Sequence, residues 1–167
     1  MSQLQEGKKA NQVDTHPRIN DLTSELYSKD ALVRERVRQS LVNIGSPATA
    51  PLVALLEDRN HQVRWEAAKT LGEIADPRTA PALVSALRDE DFDIRWLAAV
   101  GLIAMGAEAL PPLMKELAKR SESTWLRQGA HHVLHNLPDQ EIKDMMSPVL
   151  RALEGIEPEV GVIEPAL

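Results

Sequence analysis

Four apolar–arginine pairs, Val33-Arg34, Val63-Arg64, Ile94-Arg95 and Leu126-Arg127, recur along the chain at intervals of 30, 31 and 32 residues. Two further columns keep the same three intervals. Leu41, Leu71, Leu102 and Leu134 form one, and Asp30, Asn60, Asp91 and Ser123, each three residues before a pair, form the other. The residues of that last column all carry a side-chain oxygen that can accept from the unpaired N–H groups of a helix's first turn. Three columns in register at this period describe a supersecondary unit that is stacked, because one such unit cannot bury its apolar face alone.

Each unit reads as two helices. The first, A, runs from the cap for about four turns. In the second unit Val63, Ala67, Leu71 and Ile74 fall on one face at helical spacing. Gly45, Ala75 and Gly106 stand where the A helices should close. Ser46-Pro47 and Asp76-Pro77 follow as a cap and a first-turn proline, so the second helices, B, are expected to start there. Their apolar faces are Leu52, Val53 and Leu56, then Leu83, Val84 and Leu87, then Leu113, Met114 and Leu117. A B-like helix with Ile19, Leu22 and Leu26 precedes the first unit. Pro148 is expected to split the last segment, with Ser147 capping a final helix through Leu153. Aromatic residues make up only 3% of the chain, which suits helices packed through Ala and Leu.

The run Val63-Arg64-Trp65-Glu66-Ala67-Ala68-Lys69-Thr70-Leu71-Gly72, with Pro77, Ala80-Pro81, Leu83 and Leu87 after it, resembles the phycobilisome-lyase-type HEAT repeat. The resemblance covers Ile19 to Leu153. It implies an all-α fold, an α-solenoid of about four helix pairs plus a leading helix, with B helices on the concave face and A helices on the convex one. The expected organisation is a mobile N-terminal segment over 1–17, a repeat domain over 18–154 and a C-terminal tail over 155–167. In that tail Ile156-Glu157-Pro158-Glu159-Val160-Gly161-Val162-Ile163 alternates acidic and apolar groups. It reads as a disordered tail or as a short segment that docks on this stack or on a partner.

Charge and composition narrow the function. The net charge is −6 and no basic stripe is present, so nucleic acid is not an expected partner. The absence of cysteine removes disulfides, thiolate metal sites and a cysteine nucleophile. The opening Met1 to Pro17 is polar, and the apolar stretch Trp96 to Ala107 is too short to span a bilayer, so a cytoplasmic protein with no membrane contact is expected. His131, His132 and His135 form a cluster of metal-ligand type, and His131 and His135 share a helix face. No acidic residue lies on their helix, and a polar cap on the outermost A helix explains them more simply. No cofactor is therefore expected. HEAT-repeat deoxyhypusine hydroxylases hold di-iron through His-Glu pairs, and this chain has none. No Ser–His–Asp set, phosphate loop or paired-carboxylate motif stands out.

Two surfaces are left for a protein partner. Trp65 and Trp96, 31 residues apart, occupy equivalent places in adjacent units and read either as an exposed aromatic pair on the A helices or as rings folded into the groove between consecutive A helices over stems such as Lys69 and Val100. On the outer B-helix stripe Ser24, Ala54, Ser85 and Lys115 are equivalent, Asp21, Pro51, Ala82 and Pro112 form the neighbouring column, and Leu55 and Ala86 flank it. Trp65, Trp96, Ala54, Leu55, Ala82, Ser85 and Lys115 are thus the expected partner-binding residues. Arg34, Arg64, Arg95 and Arg127 read as a ladder of inter-repeat ion pairs and hydrogen bonds, with Asp58 and Asp89 at matching positions. The sequence favours a non-catalytic protein-binding adaptor or scaffold. The alternative is a cofactor-handling accessory factor or lyase-like subunit, bilin-type or metal-assisted.

Overall fold

A computed structural model describes residues 15–154, with side chains described from Arg18 onward. The segments 1–14 and 155–167, and the expectations attached to them, lie outside the described residues. The helix order is α1 Thr15–Glu25, α2 Ala31–Ile44, α3 Thr49–Leu55, α4 His61–Ile74, α5 Ala80–Ala86, α6 Phe92–Met105, α7 Leu110–Lys119, α8 Thr124–His135 and α9 Gln140–Glu154. The expected 17/18 boundary falls inside α1, which already runs from Thr15. Helices α2, α4, α6 and α8 are the A helices and pack side by side in one row. α1 lies against α3, and α5 against α7, in the other row, while α9 packs on α8 as the partner helix of the fourth unit.

The four cap residues do what their chemistry allows. Asp30 accepts from the Leu32 N–H at 2.9 Å, Asn60 from Gln62 at 3.0 Å, Asp91 from Asp93 at 2.9 Å and Ser123 from Leu126 at 3.4 Å. Each cap satisfies one donor that the helix leaves open. At the other end the A helices stop at Gly45, Ala75 and Gly106, all with positive φ. Ala75 sits at φ 51° and ψ 37°, a left-handed conformation that crowds its Cβ.

The B helices start later than their prolines suggest. Ser46–Ala48, Pro77–Thr79 and Gly106–Ala109 form one-turn 3-10 helices, and α3, α5 and α7 begin only beyond them. In the first two a second proline is the cause. An α-turn from Pro47 or Pro77 would need the N–H of Pro51 or Pro81, which does not exist. The tighter turn is closed by Thr49 and Thr79, whose hydroxyls donate to the Ser46 and Asp76 carbonyls at 2.8 Å.

The segment around Pro148 is a second correction. No break occurs there, and α9 runs unbroken through Ser147 and Pro148. The carbonyl that loses its partner belongs to Asp144, which is exposed, as is Pro148 itself, so water can serve it. On the opposite face Ile142, Met146, Val149, Leu150 and Leu153 pack against the core. Burying that face outweighs the roughly 3 kcal/mol of a mid-helix proline.

The core is one continuous row of leucines and alanines. Leu41, Leu71, Leu102 and Leu134, the third column of the repeat, are all fully buried. The tightest contact joins α4 and α6, where Gly72 and Gly101 bring the two backbones together. A Cβ on Gly101 would lie 2.9 Å from the Gly72 Cα. Phe92–Lys119 has the length and, at 1.6, the mean hydropathy of a membrane span. The chain divides it at Gly106, where φ is 63°, and buries Ile94, Ala98, Leu102 and Leu113 from its two halves in the core.

Candidate partner-binding surfaces

The arginine column is a device for closing loops and joining units. Nη1 of Arg34, Arg64, Arg95 and Arg127 donates to the carbonyl six residues earlier: Ser28 at 2.7 Å, Asp58 at 3.0 Å, Asp89 at 2.7 Å and Ser121 at 2.9 Å. The rest of the fork turns to the next unit. Arg64 grips Asp89 with Nε at 2.8 Å and Nη2 at 3.1 Å, and this bond holds its guanidinium above the ordinary arginine pKa. Arg34 does not use Asp58, as the matched columns suggest. It shares the buried Glu66 with Arg38, at 2.9 Å and 2.8 Å. Asp58 instead accepts the Tyr27 hydroxyl, which lowers the pKa of the acid and raises that of the phenol. Ser46 donates to Asp76 at 2.7 Å across the same pair of units. The bidentate Arg78 and this serine hold Asp76 well below the usual carboxylate range.

At Arg95 the ladder changes character. The position equivalent to Asp58 and Asp89 in the next unit is Ser121, which has no carboxylate. Arg95 spends Nη1 on the Asp89 and Glu90 carbonyls, and its Nε and Nη2 have no acceptor among the described residues. Its guanidinium carbon stands 4.6 Å from the Trp125 ring centre and 5.6 Å from that of Phe92. Beside it Trp96 meets Phe92 at 6.4 Å and His132 at 4.5 Å. Arg95, Phe92, Trp96, Trp125, Gln128 and His132 thereby line a cleft of about 160 Å³ between α6 and α8. Its aromatic rims are open to solvent, Phe92 at 64%, Trp96 at 48% and Trp125 at 44%. Burial, then the neighbouring His131 and His135, push the His132 imidazole below its ordinary pKa.

The expected Trp65–Trp96 pair does not form as a shared exposed patch. Trp65 is half-buried against the core, with Arg38 and Lys69 over its ring at 5.9 Å and 5.8 Å. Only Trp96 of the two is exposed, and its aromatic neighbours come from its own helix and from α8. Trp125, three positions before the place of the tryptophan column, is the residue that completes the cleft. His131 and His135 stack their rings at 6.0 Å, and among the described residues no three His, Asp or Glu converge in a metal-binding group.

On the B-helix stripe Ser24, Ala54, Ser85 and Lys115 are all exposed, as their equivalence demands. Leu55 and Ala82 are half-buried, and Ala86 is buried. Ala82 and Ser85 line one groove, of about 490 Å³, whose far wall carries Asp58, Arg64, Arg88 and Asp89. Lys115 lines a second, of about 410 Å³, with Pro81, Pro111, Pro112 and Lys119. Ala82 and Ser85 therefore belong to one groove and Lys115 to another, while Ala54 and Leu55 line neither of the two. Sequence reasoning missed Phe92, Arg95, Trp125 and His132 as one constellation. The available signal was Ser121, the break in the acidic column.

Comparison with known proteins agrees with the repeat. The family model for HEAT repeats matches residues 19–103 and 49–135. The chain is 35% identical over 126 residues to the phycocyanobilin lyase subunit alpha of Synechocystis sp., an alignment covering 71% of this chain and 44% of that protein. The chain thus spans less than half the length of this relative. Among solved structures it is similar in fold to a chain of the complex of CpcE and CpcF of phycocyanin lyase from Nostoc sp. PCC7120. The TM-score there is 0.59 at 23% identity, over 83% of this chain and 96% of that one. This protein is a member of the HEAT-repeat family, an α-solenoid whose repeats are similar to those of the phycocyanobilin lyase alpha subunit.

Proposed function

We propose that this chain is a protein-holding subunit of a bilin-lyase-type assembly, contributing a rigid stack to which a second protein binds. The observation that carries this reading is the 35% identity to a phycocyanobilin lyase subunit across most of the repeat domain. The fold neighbour comes from a complex of two proteins, which supports a paired mode of action. The B-helix stripe suits the role, because Ala54 and Ser85 are small, exposed and free of charge, so another backbone can approach closely. The test mixes the purified chain with CpcF and phycocyanobilin, and follows size-exclusion elution together with the visible absorption of the bilin. A stable complex that perturbs the bilin spectrum, and that Ala54→Arg or Ser85→Arg prevents, is the expected result. Separate elution with an unchanged spectrum would sink it. A plain adaptor is the second reading, favoured by the same small, uncharged and exposed Ala54 and Ser85, which suit a protein partner without requiring a bilin. Complex formation without any change in the bilin spectrum would select it.

A further inference from the structure

The cleft between α6 and α8 is an unfinished version of a joint that Arg34 and Arg64 complete. Where Arg64 closes on Asp89, Arg95 keeps the Nε–Nη2 edge of its fork without a carboxylate among the described residues, its guanidinium carbon 5.6 Å from the Phe92 ring centre and 4.6 Å from that of Trp125. Such a fork is shaped for a carboxylate, and the bond is stronger beside aromatic surface than in open water. The cleft next to it, of about 160 Å³, has room for one branched aliphatic side chain; a cavity of about 150 Å³ holds a benzene-sized group. The occupant that fits is an extended segment placing an acid next to a bulky apolar residue.

The chain carries such a segment, and it leaves the described structure close by. The Glu154 carboxylate, the end of α9, lies 3.6 Å from His131 Nε2 on α8, one residue from the His132 that lines the cleft. Residues 155–167 contain Glu157, Glu159 and Glu164, no basic group, with Ile156 before the first of them and Val160, Val162 and Ile163 between the last two. From His132 to Trp125 the cleft runs about 10 Å along α8. Three to four extended residues cover about 10–14 Å. The three and five residues that separate Glu154 from Glu157 and Glu159 are enough chain to span that length.

We propose that the cleft formed by Phe92, Arg95, Trp96, Trp125 and His132 is the docking site of the chain's own acidic–apolar segment 155–167. Glu157 or Glu159 occupies the Arg95 fork as Asp89 occupies that of Arg64, and a neighbouring aliphatic side chain fills the aromatic pocket. This contact is separate from the B-helix face and stands whether or not a second protein binds there.

The absence of cysteine makes the test clean. Val162→Cys in the full chain is labelled with a fluorophore that tryptophan quenches only on near contact. Replacing Trp125 by Phe, or Trp96 by Phe, should restore emission, while Trp65→Phe should not. The tail variant Glu157→Lys/Glu159→Lys leaves every residue of the stack untouched. It should also restore emission, with the wild-type tail emitting about half as much or less if at least half the molecules are docked. Arg95→Gln is the complementary change on the stack, with circular dichroism to verify its fold. Equal emission from the wild-type and charge-reversed tails would overturn the proposal. Quenching that depends on protein concentration would assign the cleft to a second copy and overturn it as well.

Discussion

Replacing Gly101 by alanine sets two effects against each other, and the structure decides between them. In the interior of α6 alanine is favoured over glycine by about 1 kcal/mol of helix propensity. The added Cβ, however, would sit 2.9 Å from the Gly72 Cα and 2.9 Å from Leu83 Cδ1. Carbon atoms in contact prefer about 3.5–4.0 Å. The Leu83 methyl belongs to a side chain and can turn, but Gly72 Cα is backbone of α4, so relief there requires the two helices to part. Overpacking costs about 1–3 kcal/mol, and a backbone-to-backbone clash between the two central helices belongs at the upper end. The net expectation is a loss of about 2 kcal/mol, or about 6 °C in Tm for a chain of this size. Urea and thermal unfolding followed by circular dichroism measure it. Gly129→Ala is the control, since its Cβ would meet only the Leu87 side chain, and its loss should be smaller. A Gly101→Ala protein as stable as the wild type, or more so, would refute the backbone contact.

Three other outcomes follow from particular residues. Ala75→Gly removes the left-handed strain at φ 51° and should stabilise by about 1 kcal/mol; a raised urea midpoint at unchanged m is the expected signature, and a lowered one contradicts the assignment. Glu66→Ala leaves Arg38, 9% exposed, without its short ion pair and should cost about 3 kcal/mol. A double-mutant cycle of Glu66→Ala with Arg38→Leu should return a coupling of about 1 kcal/mol or more, and simple additivity would count against a shared network. Stability should also fall on mild acidification through His132. Its folded pKa is lowered by burial and by His131 and His135, so the unfolded chain takes up the proton first. The contribution is therefore complete above the ordinary imidazole value, about 6.5, and is lost as pH falls through it towards the folded pKa. Urea midpoints on either side of that value should differ more in the wild type than in His132→Leu, and equal slopes would remove His132 as the cause.

What the sequence made legible is what depends on neighbours along the chain. The caps at Asp30, Asn60, Asp91 and Ser123 need only their own first turn, and the leucine column needs only the 3.6-residue period, so both are found where the pattern puts them. The recipient of each arginine fork is a choice made between units. Glu66 outcompetes Asp58 for Arg34 because Tyr27 already occupies Asp58 and because Arg38 shares the same carboxylate. The tryptophans fail as a column for a related reason. Equivalent positions carry equivalent backbones, but Trp65 faces Arg38 and Lys69 while Trp96 faces Phe92 and His132. Neighbours, rather than register, decide which ring is covered. At Pro148 a local rule about breakers loses to five apolar side chains whose common face becomes visible only once α8 is beside them.

The bond from each arginine to the carbonyl six residues before it has donor and acceptor inside one loop. Duplicating a unit duplicates that closure, and deleting one removes it whole, with no orphaned partner left in the remainder. Only the second half of the fork reaches across a joint, and there the acceptor differs from unit to unit: a glutamate for Arg34 and an aspartate for Arg64. The molecule is thus built in interchangeable modules. A stack of this design can change length by whole units, with the refitting confined to the contacts at the new seam.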